Sequence, residues 1–251
     1  MNPPLYFSRL APFRETFATG KPVLTYHHVA RPRRGARLRG LYVPLKLFTR
    51  QMIELKEGGF FAPSYNQLSF ARPERPSVFI TFDDGFVDAM ENALPVLKSH
   101  GVVAIQFLVS SLIGKTNEWQ QKEGDVEEKL MDDSQVRDWL AASQEIGAHS
   151  RTHPRLSHLT TPEAREEIVS SKKFLEDRFG RPIHHFCYPY GDYNRQVRDL
   201  VEEAGYLTAC TTQPGVHRTG DDLFAIKRIT ARYPSRNLKQ IWQRWFRTVP
   251  F

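Results

Sequence analysis

Short apolar segments alternate with longer amphipathic segments along the chain. The short segments are rich in β-branched and aromatic residues, which is typical of strands, and they cover residues 23–26, 78–82, 103–109, 145–149, 184–188, 206–209 and 224–229. The amphipathic segments predict helices at 49–58, 87–100, 134–143, 162–179, 195–204 and 237–247. Because strands alternate with helices, we expect a parallel α/β fold, and about seven parallel strands favour a barrel or near-barrel.

Two segments interrupt this alternation on the face where the chemistry of such a barrel gathers. Residues 31–40 form a basic, glycine-containing loop after the first strand, and residues 114–133 are polar and charged with no clear period. We expect the second segment to be a surface excursion that borders the site. The chain shows no internal repeat and no convincing linker. Residues 1–251 are therefore predicted to form one domain, with its core at about 22–230.

The formal net charge of +7 is concentrated in the loop 31–40 and in the C-terminal residues 232–247. A solvated basic surface explains both clusters, and the alternative is attraction to an anionic lipid surface or a phosphorylated substrate. The predicted C-terminal helix, 236–247, also contains Trp242, Trp245 and Phe246. That composition fits a peripheral membrane contact and equally fits packing against the domain. No nucleic-acid motif accompanies the charge, so no nucleic-acid partner is expected.

The chain has no apolar segment of about 18 residues, so no transmembrane helix is predicted. Its first twenty residues lack the apolar region of a secretory signal peptide. We therefore expect a cytoplasmic protein, peripheral to the inner membrane if the C-terminal segment binds lipid. The two cysteines, Cys187 and Cys210, are expected to be reduced core thiols rather than a disulfide framework.

Asp83 and Asp84 end the second predicted strand, within the motif Thr81-Phe82-Asp83-Asp84-Gly85. Burying two neighbouring carboxylates is unfavourable unless a cation lies beside them or a proton moves between them and a substrate. Side chains alternate along a strand, so one carboxylate can bind a metal while the other faces the substrate as a base.

His149 and His153 follow the fourth predicted strand, and Pro154 disfavours a helix there. Both histidines are therefore expected on a loop at the same face of the barrel as the two aspartates. One carboxylate and two imidazoles leave coordination positions open, which suits a catalytic divalent metal. Zinc is the preferred metal, and iron, cobalt and nickel are alternatives.

Two further segments end predicted strands. The motif Tyr26-His27-His28 ends the first strand with paired histidines, one of which could reach the site as a general acid. The segment from Phe186 to Asn194 contains Pro189 and Gly191, which fix a tight loop whose backbone N–H could bind an oxyanion. An ordinary strand end and a rigid aromatic turn are the alternatives. The expected substrate contacts are His28, Tyr188, Pro189 and Tyr193.

These motifs together resemble the polysaccharide deacetylases, the NodB-homology group or carbohydrate esterase family 4. The Thr81–Gly85 motif matches the first motif of that family, His149-Ser150-Arg151-Thr152-His153 matches its second, and Tyr188-Pro189-Tyr190-Gly191 resembles its third. The resemblance covers about residues 23–229 and implies a distorted (β/α) barrel that removes N-acetyl groups from amino sugars with a metal. The early Tyr26-His27-His28 motif is similar to the subgroup that deacetylates poly-N-acetylglucosamine.

The resemblance also implies a role for each matching residue. Asp83 becomes the general base, and Asp84, His149 and His153 become the metal ligands. The backbone N–H of Tyr190 becomes an oxyanion donor, and His27 rather than His28 becomes the acid.

Two departures from the family pattern stand out. Cys187 lies where family members commonly carry the arginine that orients the base, and Arg228 is our candidate replacement. The usual late Leu-x-His motif is missing from residues 225–229, which is why the acid is assigned to the N-terminal histidine.

The predicted function is metal-dependent N-deacetylation of an amino-sugar polymer or glycan precursor. The main alternative is a deacylase or deformylase that acts on a lipid-linked or nucleotide-linked sugar. A non-catalytic carbohydrate-binding barrel would explain the two departures, but it leaves the four acidic and imidazole side chains without a purpose. A non-haem iron oxygenase also uses two histidines and a carboxylate, but it does not explain the second aspartate.

Overall fold

Seven parallel strands form a closed barrel. The computed structural model describes residues 6–69 and 75–232. Its strands are β1 (Val23–Tyr26), β2 (Phe79–Phe82), β3 (Ala104–Leu108), β4 (Glu145–Ala148), β5 (His185–Cys187), β6 (Thr208–Pro214) and β7 (Ile226–Thr230). Each strand pairs with the next, and β7 pairs with β1 to close the ring. The predicted (β/α) barrel of about seven strands is confirmed.

The barrel interior changes from apolar to polar toward the ends of the strands. The inner apolar layer includes Val23, Phe79 and Ile226, all buried. Because strand side chains alternate, Thr81 and Arg228, two residues further along β2 and β7, share the inward parity of Phe79 and Ile226. Asp83 continues that parity past the end of β2. The alternation of strand side chains therefore places the Asp83 carboxylate next to the buried Thr81 hydroxyl and the buried Arg228 guanidinium.

Helices cover the outside of the barrel. They are α1 (Arg14–Ala18), α2 (Leu45–Glu57), α3 (Leu94–His100), α4 (Glu118–Lys122), α5 (Asp133–Ala141), α6 (Thr161–Phe179) and α7 (Arg195–Glu203). Outward-facing strand residues such as Leu24, Ile80 and Phe82 join the helices in the main apolar core. The predicted segment 237–247 lies outside the described residues.

Three of the differences from the predicted elements have identifiable physical reasons. The segment predicted as one helix at 87–100 begins with a π-helix, Ala89–Ala93, and continues as α3. Pro95 has no N–H to donate to the preceding turn, which disfavours a continuous α-helix. Helix α2 begins directly after Pro44, four residues before the predicted start. Strand β6 runs five residues past its predicted end, because the residues that follow Ala209 include the β-branched pair Thr211 and Thr212.

Capping interactions define the helices that flank the site. Asn194 accepts a hydrogen bond from the Val197 N–H at the start of α7, as expected of an N-cap. Thr160 and Glu163 form a capping box at the start of α6. Gly180 ends α6 in the left-handed conformation, with φ of 64°.

The excursion 114–133 packs against the basic loop 31–40. Arg37 and Leu38 donate backbone N–H groups to the Asp125 carboxylate at 2.8 and 3.0 Å, and Arg33 lies 3.5 Å from Glu128. Both segments therefore cover the same sector of the barrel. No helix among residues 6–69 and 75–232 is long and apolar enough to cross a membrane.

Candidate active site

Asp83 and Asp84 lie at the carboxyl end of β2, and both are buried. The Asp83 N–H donates to the Tyr26 carbonyl at 3.0 Å, which continues the pairing of β2 with β1 beyond the strand end. Asp84 then adopts a φ of 76°. This left-handed conformation separates the two carboxylates, so that each has its own set of partners.

Arg228 forms a bidentate ion pair with Asp83. Its two terminal nitrogens lie 2.8 and 2.7 Å from the two carboxylate oxygens of Asp83. The remaining contacts of the guanidinium come from three other strands across the barrel interior: Thr81 Oγ1 at 3.0 Å, the Thr211 carbonyl at 2.9 Å and Cys187 Sγ at 3.2 Å. The contact that the sequence suggested between Arg228 and Asp83 is therefore present, and Arg228 lies within β7.

The charge on Arg228 keeps Asp83 ionised. Burial alone would raise the pKa of Asp83, but the adjacent guanidinium outweighs burial and holds that pKa below its usual value. Burial raises the pKa of the neighbouring Cys187 thiol well above its ordinary value. Cys187 is therefore an S–H donor 3.6 Å from Asp83 rather than a thiolate, and it is a free, buried thiol as expected.

Asp84, His149 and His153 form a compact donor set. The Nε2 atoms of His149 and His153 lie 3.2 and 3.3 Å from the same Asp84 oxygen, Oδ1. One ligand atom from each residue fits within 4.8 Å of the others, and all three residues are buried. Burial opposes the charge on Asp84, but the two imidazoles prevail and hold its pKa well below the usual range.

This donor set fits a divalent metal. His149 Nδ1 lies 2.7 Å from the Cys187 carbonyl oxygen, so its N–H donates there and Nε2 is left with a lone pair for a metal. Two imidazoles and one carboxylate, with room for further ligands, are the donors of a catalytic site rather than a closed structural one. A second group, Asp83, His149 and Cys187, also has suitable atoms, but the Arg228 guanidinium against Asp83 and Cys187 opposes another cation there.

The loop that carries both histidines is held by helix α6. The Glu167 carboxylate accepts hydrogen bonds from the backbone N–H groups of Arg151 and Thr152 at 2.9 and 2.8 Å, and from the Thr152 hydroxyl at 2.7 Å. Ser150 Oγ accepts from the His153 N–H at 3.0 Å. Glu167 lies 14 residues beyond His153 in a helix with many other acidic residues, so no motif in the sequence distinguishes it.

Unusual backbone conformations cluster at the site. Among the described residues, five non-glycine residues have positive φ, and four of them belong to the site motifs: Asp84, Ser150, His153 and Tyr190. Such conformations are unfavourable and persist only where surrounding contacts over-determine them. They indicate that the site geometry is set in advance by the fold.

The paired histidines have different surroundings. His27 Nε2 lies 3.9 Å from Asp83 Oδ2, at the edge of the donor set, with its side chain 17% exposed. Burial lowers the pKa of His27 and outweighs the attraction of the two aspartates. His28 is buried between the rings of Tyr42 and Phe86, with Nδ1 2.6 Å from Asp88. His28 was predicted to contact the substrate, and that prediction was wrong because both faces of its ring are covered.

The third motif forms one wall of the site. Tyr188 and Pro189, predicted substrate contacts, are buried instead, and the Tyr188 hydroxyl donates to the Phe224 carbonyl at 3.1 Å. Tyr193 stacks on Tyr188 at 4.7 Å and remains partly exposed. Tyr190 has a φ of 59°, and its half-buried ring lies 4.7 Å from the His153 ring. Burial raises the pKa of the Tyr190 hydroxyl to about 12.

Trp119 completes this wall from the excursion, as the position of residues 114–133 suggested. Its ring stacks on His153 with 4.4 Å between centroids, and it is 7% exposed. The excursion has no motif that distinguishes Trp119 from an ordinary packing residue, so its role is not visible in the sequence.

Comparison with known proteins finds a family model that matches more than half of the chain. The family model described as polysaccharide deacetylase matches residues 71–209, a segment that contains Asp83, Asp84, His149, His153 and Tyr190. His27 and Arg228 lie outside the matched segment.

Individual relatives extend the match. The Bacillus subtilis (strain 168) protein named "Putative polysaccharide deacetylase YxkH" is 29% identical over 213 residues, which cover 83% of this chain and 70% of the relative. The poly-β-1,6-N-acetyl-D-glucosamine N-deacetylase of Staphylococcus epidermidis is 26% identical over 187 residues, 73% of this chain and 60% of that enzyme. The Streptococcus pyogenes deacetylase PplD, solved in complex with acetate, superposes with a TM-score of 0.75 and 22% identity over 90% of this chain and 98% of its own.

Proposed function

We propose, from the premise that this chain belongs to the polysaccharide deacetylase family, that it hydrolyses the N-acetyl group of an amino sugar in a glycan or glycan precursor. The products are acetate and a free amine. One observation carries the proposal: an ionised carboxylate, Asp83, is fixed by Arg228 beside a three-residue metal donor set that leaves coordination positions open.

Asp84, His149 and His153 would hold the metal, with zinc preferred and iron, cobalt or nickel as alternatives. Such a metal polarises a carbonyl oxygen and lowers the pKa of bound water from 15.7 toward about 7. The protein contributes the orientation of the ligands, through the Cys187 carbonyl on His149 and through Glu167 on the histidine loop.

Asp83 is the proposed general base. Because Arg228 holds its pKa low and both of its oxygens in place, Asp83 is ionised and oriented before a substrate arrives. It accepts a proton from the water that attacks the acetamide carbon. Arg228 therefore acts as a positioning residue for the base, in place of the arginine that Cys187 replaces.

His27 is the proposed general acid, and the Tyr190 N–H is the proposed oxyanion donor. His27 Nε2 and Asp83 Oδ2 are 3.9 Å apart, so both side chains can act on one acetamide group. Asp83 accepts a proton from the attacking water, and His27 donates a proton to the leaving nitrogen. A donor that meets the developing negative charge is worth about 3–4 kcal/mol in other enzymes. Tyr193 remains a proposed substrate contact because part of its surface is open.

The relatives support the proposed substrate class. The Staphylococcus epidermidis enzyme acts on poly-β-1,6-N-acetyl-D-glucosamine, and we propose a related amino-sugar substrate here. The chain spans about 60% of that enzyme, so its substrate is carried over only as a proposal. A lipid-linked or nucleotide-linked sugar is the second candidate, because a cavity lined by three arginines lies near the site. An oxygenase or a non-catalytic barrel leaves the Asp83–Arg228 pair unexplained.

Acetate release across a substrate panel tests the function and its metal dependence. We expect release from N-acetylglucosamine oligomers, lipid-linked sugars or nucleotide-linked sugars, loss of release after chelation, and recovery when zinc is restored. The reason is that all three donors of the proposed metal site are buried and face one point. Acetate measured enzymatically gives the rate, and formate is measured in parallel to detect a deformylase. Rates that persist after complete metal removal would contradict the metal proposal.

His27→Ala tests the assignment of the acid. We expect a loss of roughly 100- to 10,000-fold in kcat, the usual contribution of a general acid, with little change in metal content because His27 is not in the donor set. His28→Gln provides the comparison: it removes a buried ring between Tyr42 and Phe86 and should reduce thermal stability more than the chemical step. A negligible effect of His27→Ala with a severe catalytic loss in His28→Gln would reverse the assignment.

A further inference from the structure

A basic cavity of about 490 Å³ lies next to the site, on the side of β1 and β7. Three of the residues that line it are arginines, namely Arg31, Arg39 and Arg232, and Tyr42 and Gly40 form part of its wall. The volume is within the range of pockets that hold small molecules. Arg232 directly follows the end of β7, and the other two arginines belong to the loop 31–40, so the cavity opens on the catalytic face of the barrel.

The arginines of the loop 31–40 divide into two groups. Arg33 and Arg37 bind the excursion: Arg33 lies 3.5 Å from Glu128, and Arg37 donates to the Glu123 carbonyl at 2.7 Å. Within residues 6–69 and 75–232, Arg31, Arg39 and Arg232 have no carboxylate within 4.0 Å. Three like charges that line one cavity repel one another unless an anion binds between them. Contacts with the excursion explain Arg33 and Arg37, but no such contact within the described residues explains these three arginines.

Two features hold Arg232 toward the cavity. Its guanidinium lies over the Tyr6 ring, 4.7 Å from the centroid. It also lies against Gly40, where an added Cβ would approach the guanidinium carbon to 2.7 Å. Glycine at position 40 therefore makes room for the charged group, and the loop that carries Gly40 is itself held by the Asp125 carboxylate on Arg37 and Leu38.

The cavity is connected to the catalytic residues through Tyr42. The Tyr42 ring stacks on His28 with 4.0 Å between centroids, and its hydroxyl donates to Glu128 at 3.0 Å. The His28 N–H donates to the Leu41 carbonyl at 3.1 Å, and His28 directly follows His27. The cavity wall is therefore continuous with the segment that presents the proposed acid.

We propose that this cavity binds a phosphate group carried by the amino-sugar substrate. Guanidinium groups pair bidentately with phosphate oxygens, and a phosphate has enough oxygens to engage three arginines, whereas one arginine satisfies a carboxylate. This inference deepens the proposed function and rests on it, because it names a phosphorylated glycan or glycan precursor as the preferred substrate class. It also accounts for part of the positive charge that the fold does not neutralise.

The test measures binding of inorganic phosphate, N-acetylglucosamine 1-phosphate, a nucleotide-linked N-acetylglucosamine and a neutral N-acetylglucosamine tetramer to the full chain, by titration calorimetry before and after chelation. Arg39→Gln/Arg232→Gln should weaken binding of the three phosphate-containing ligands by about 10- to 100-fold, as expected for lost charge-assisted hydrogen bonds. Arg14→Gln/Arg181→Gln removes the same charge at exposed positions outside the cavity and should leave the affinities within about twofold. Gly40→Ala keeps every charge, displaces the Arg232 guanidinium and should weaken phosphate binding as well.

The outcomes separate this inference from the proposed function. Phosphate affinity that persists after chelation but is lost in the Arg39/Arg232 variant supports phosphate binding in the cavity. If no substrate releases acetate in the same experiments, only the proposed function fails. Equal phosphate affinity in the wild type and the Arg39/Arg232 variant overturns the inference, and so does phosphate binding that disappears on chelation, even where acetate release is robust. For substrates that turn over, the ratio of kcat/KM for phosphorylated to neutral sugar should fall in the variant and stay constant in the Arg14/Arg181 control.

Discussion

Asp83→Asn is expected to abolish acetate release while metal stays bound. The substitution removes the only proton acceptor that we assign to the attacking water, and loss of a general base lowers kcat by about 100- to 10,000-fold or more. Asp83 is not a member of the Asp84, His149 and His153 donor set, so the metal content should remain close to that of the wild type. Acetate release and elemental analysis of the same preparation provide the two measurements.

Asp84→Asn is the matched control for this result. It changes the neighbouring residue in the same way, but it removes the carboxylate that both imidazoles face. This variant should lose activity and metal together, whereas Asp83→Asn loses activity alone. Wild-type rates in Asp83→Asn would show that the base is another group, and loss of metal in Asp83→Asn would show that the two aspartates do not have separate roles.

Arg228→Met is expected to lower both stability and activity. Both partners of the Arg228–Asp83 pair are at most 2% exposed, and removal of one partner leaves an uncompensated buried charge. Breaking a buried pair in this way costs about 3–5 kcal/mol. Denaturant unfolding should show this decrease in the free energy of unfolding, and kcat should fall because the carboxylate loses the two contacts that orient it.

The double variant Asp83→Asn/Arg228→Met distinguishes the charge balance from simple loss of packing. With both charges removed, most of the stability lost in Arg228→Met should return, while activity stays absent. Equal destabilisation in the single and double variants would instead assign the effect to the volume and packing of the arginine side chain. Arg228→Lys keeps the positive charge but cannot form two parallel hydrogen bonds to Asp83. It should therefore restore the free energy of unfolding better than it restores kcat.

The pH dependence of the Arg228→Met variant has a definite sign. In the wild type, Arg228 holds the pKa of Asp83 below its usual value, so the base stays ionised, and contributes stability, until the pH falls through that lowered value. Without the guanidinium, burial dominates and raises the pKa of Asp83. The acidic limb of kcat/KM should therefore move to higher pH in any residual activity. An unchanged acidic limb would show that Arg228 does not tune this carboxylate.

The sequence was sufficient for the barrel and for the two principal motifs. Strand and helix periods are local properties, and they placed seven strands in the correct order with errors of a few residues at their ends. The same local patterns placed Asp83, Asp84, His149 and His153 at strand ends on one face of the barrel. The C-terminal segment 236–247 lies outside the described residues, and its proposed contact with a membrane, like the proposed cytoplasmic location, stays a prediction.

Other features depend on contacts between distant parts of the chain. Whether His27 or His28 faces the site is decided by the rings of Tyr42 and Phe86, which enclose the second histidine. The roles of Glu167 and Trp119 depend on how α6 and the excursion pack over the histidine loop. No periodicity or motif within these segments identifies such partners.

The orientation of Asp83 depends both on the sequence and on the tertiary structure. The sequence alone determined that a carboxylate ends β2 and that Cys187 lies where the family carries its arginine. Only the tertiary structure decided that Arg228, 145 residues away in sequence, supplies both hydrogen bonds. The physical reason is that barrel closure brings β7 beside β1 and sets its inward-facing guanidinium opposite β2, which only the register of the complete barrel determines.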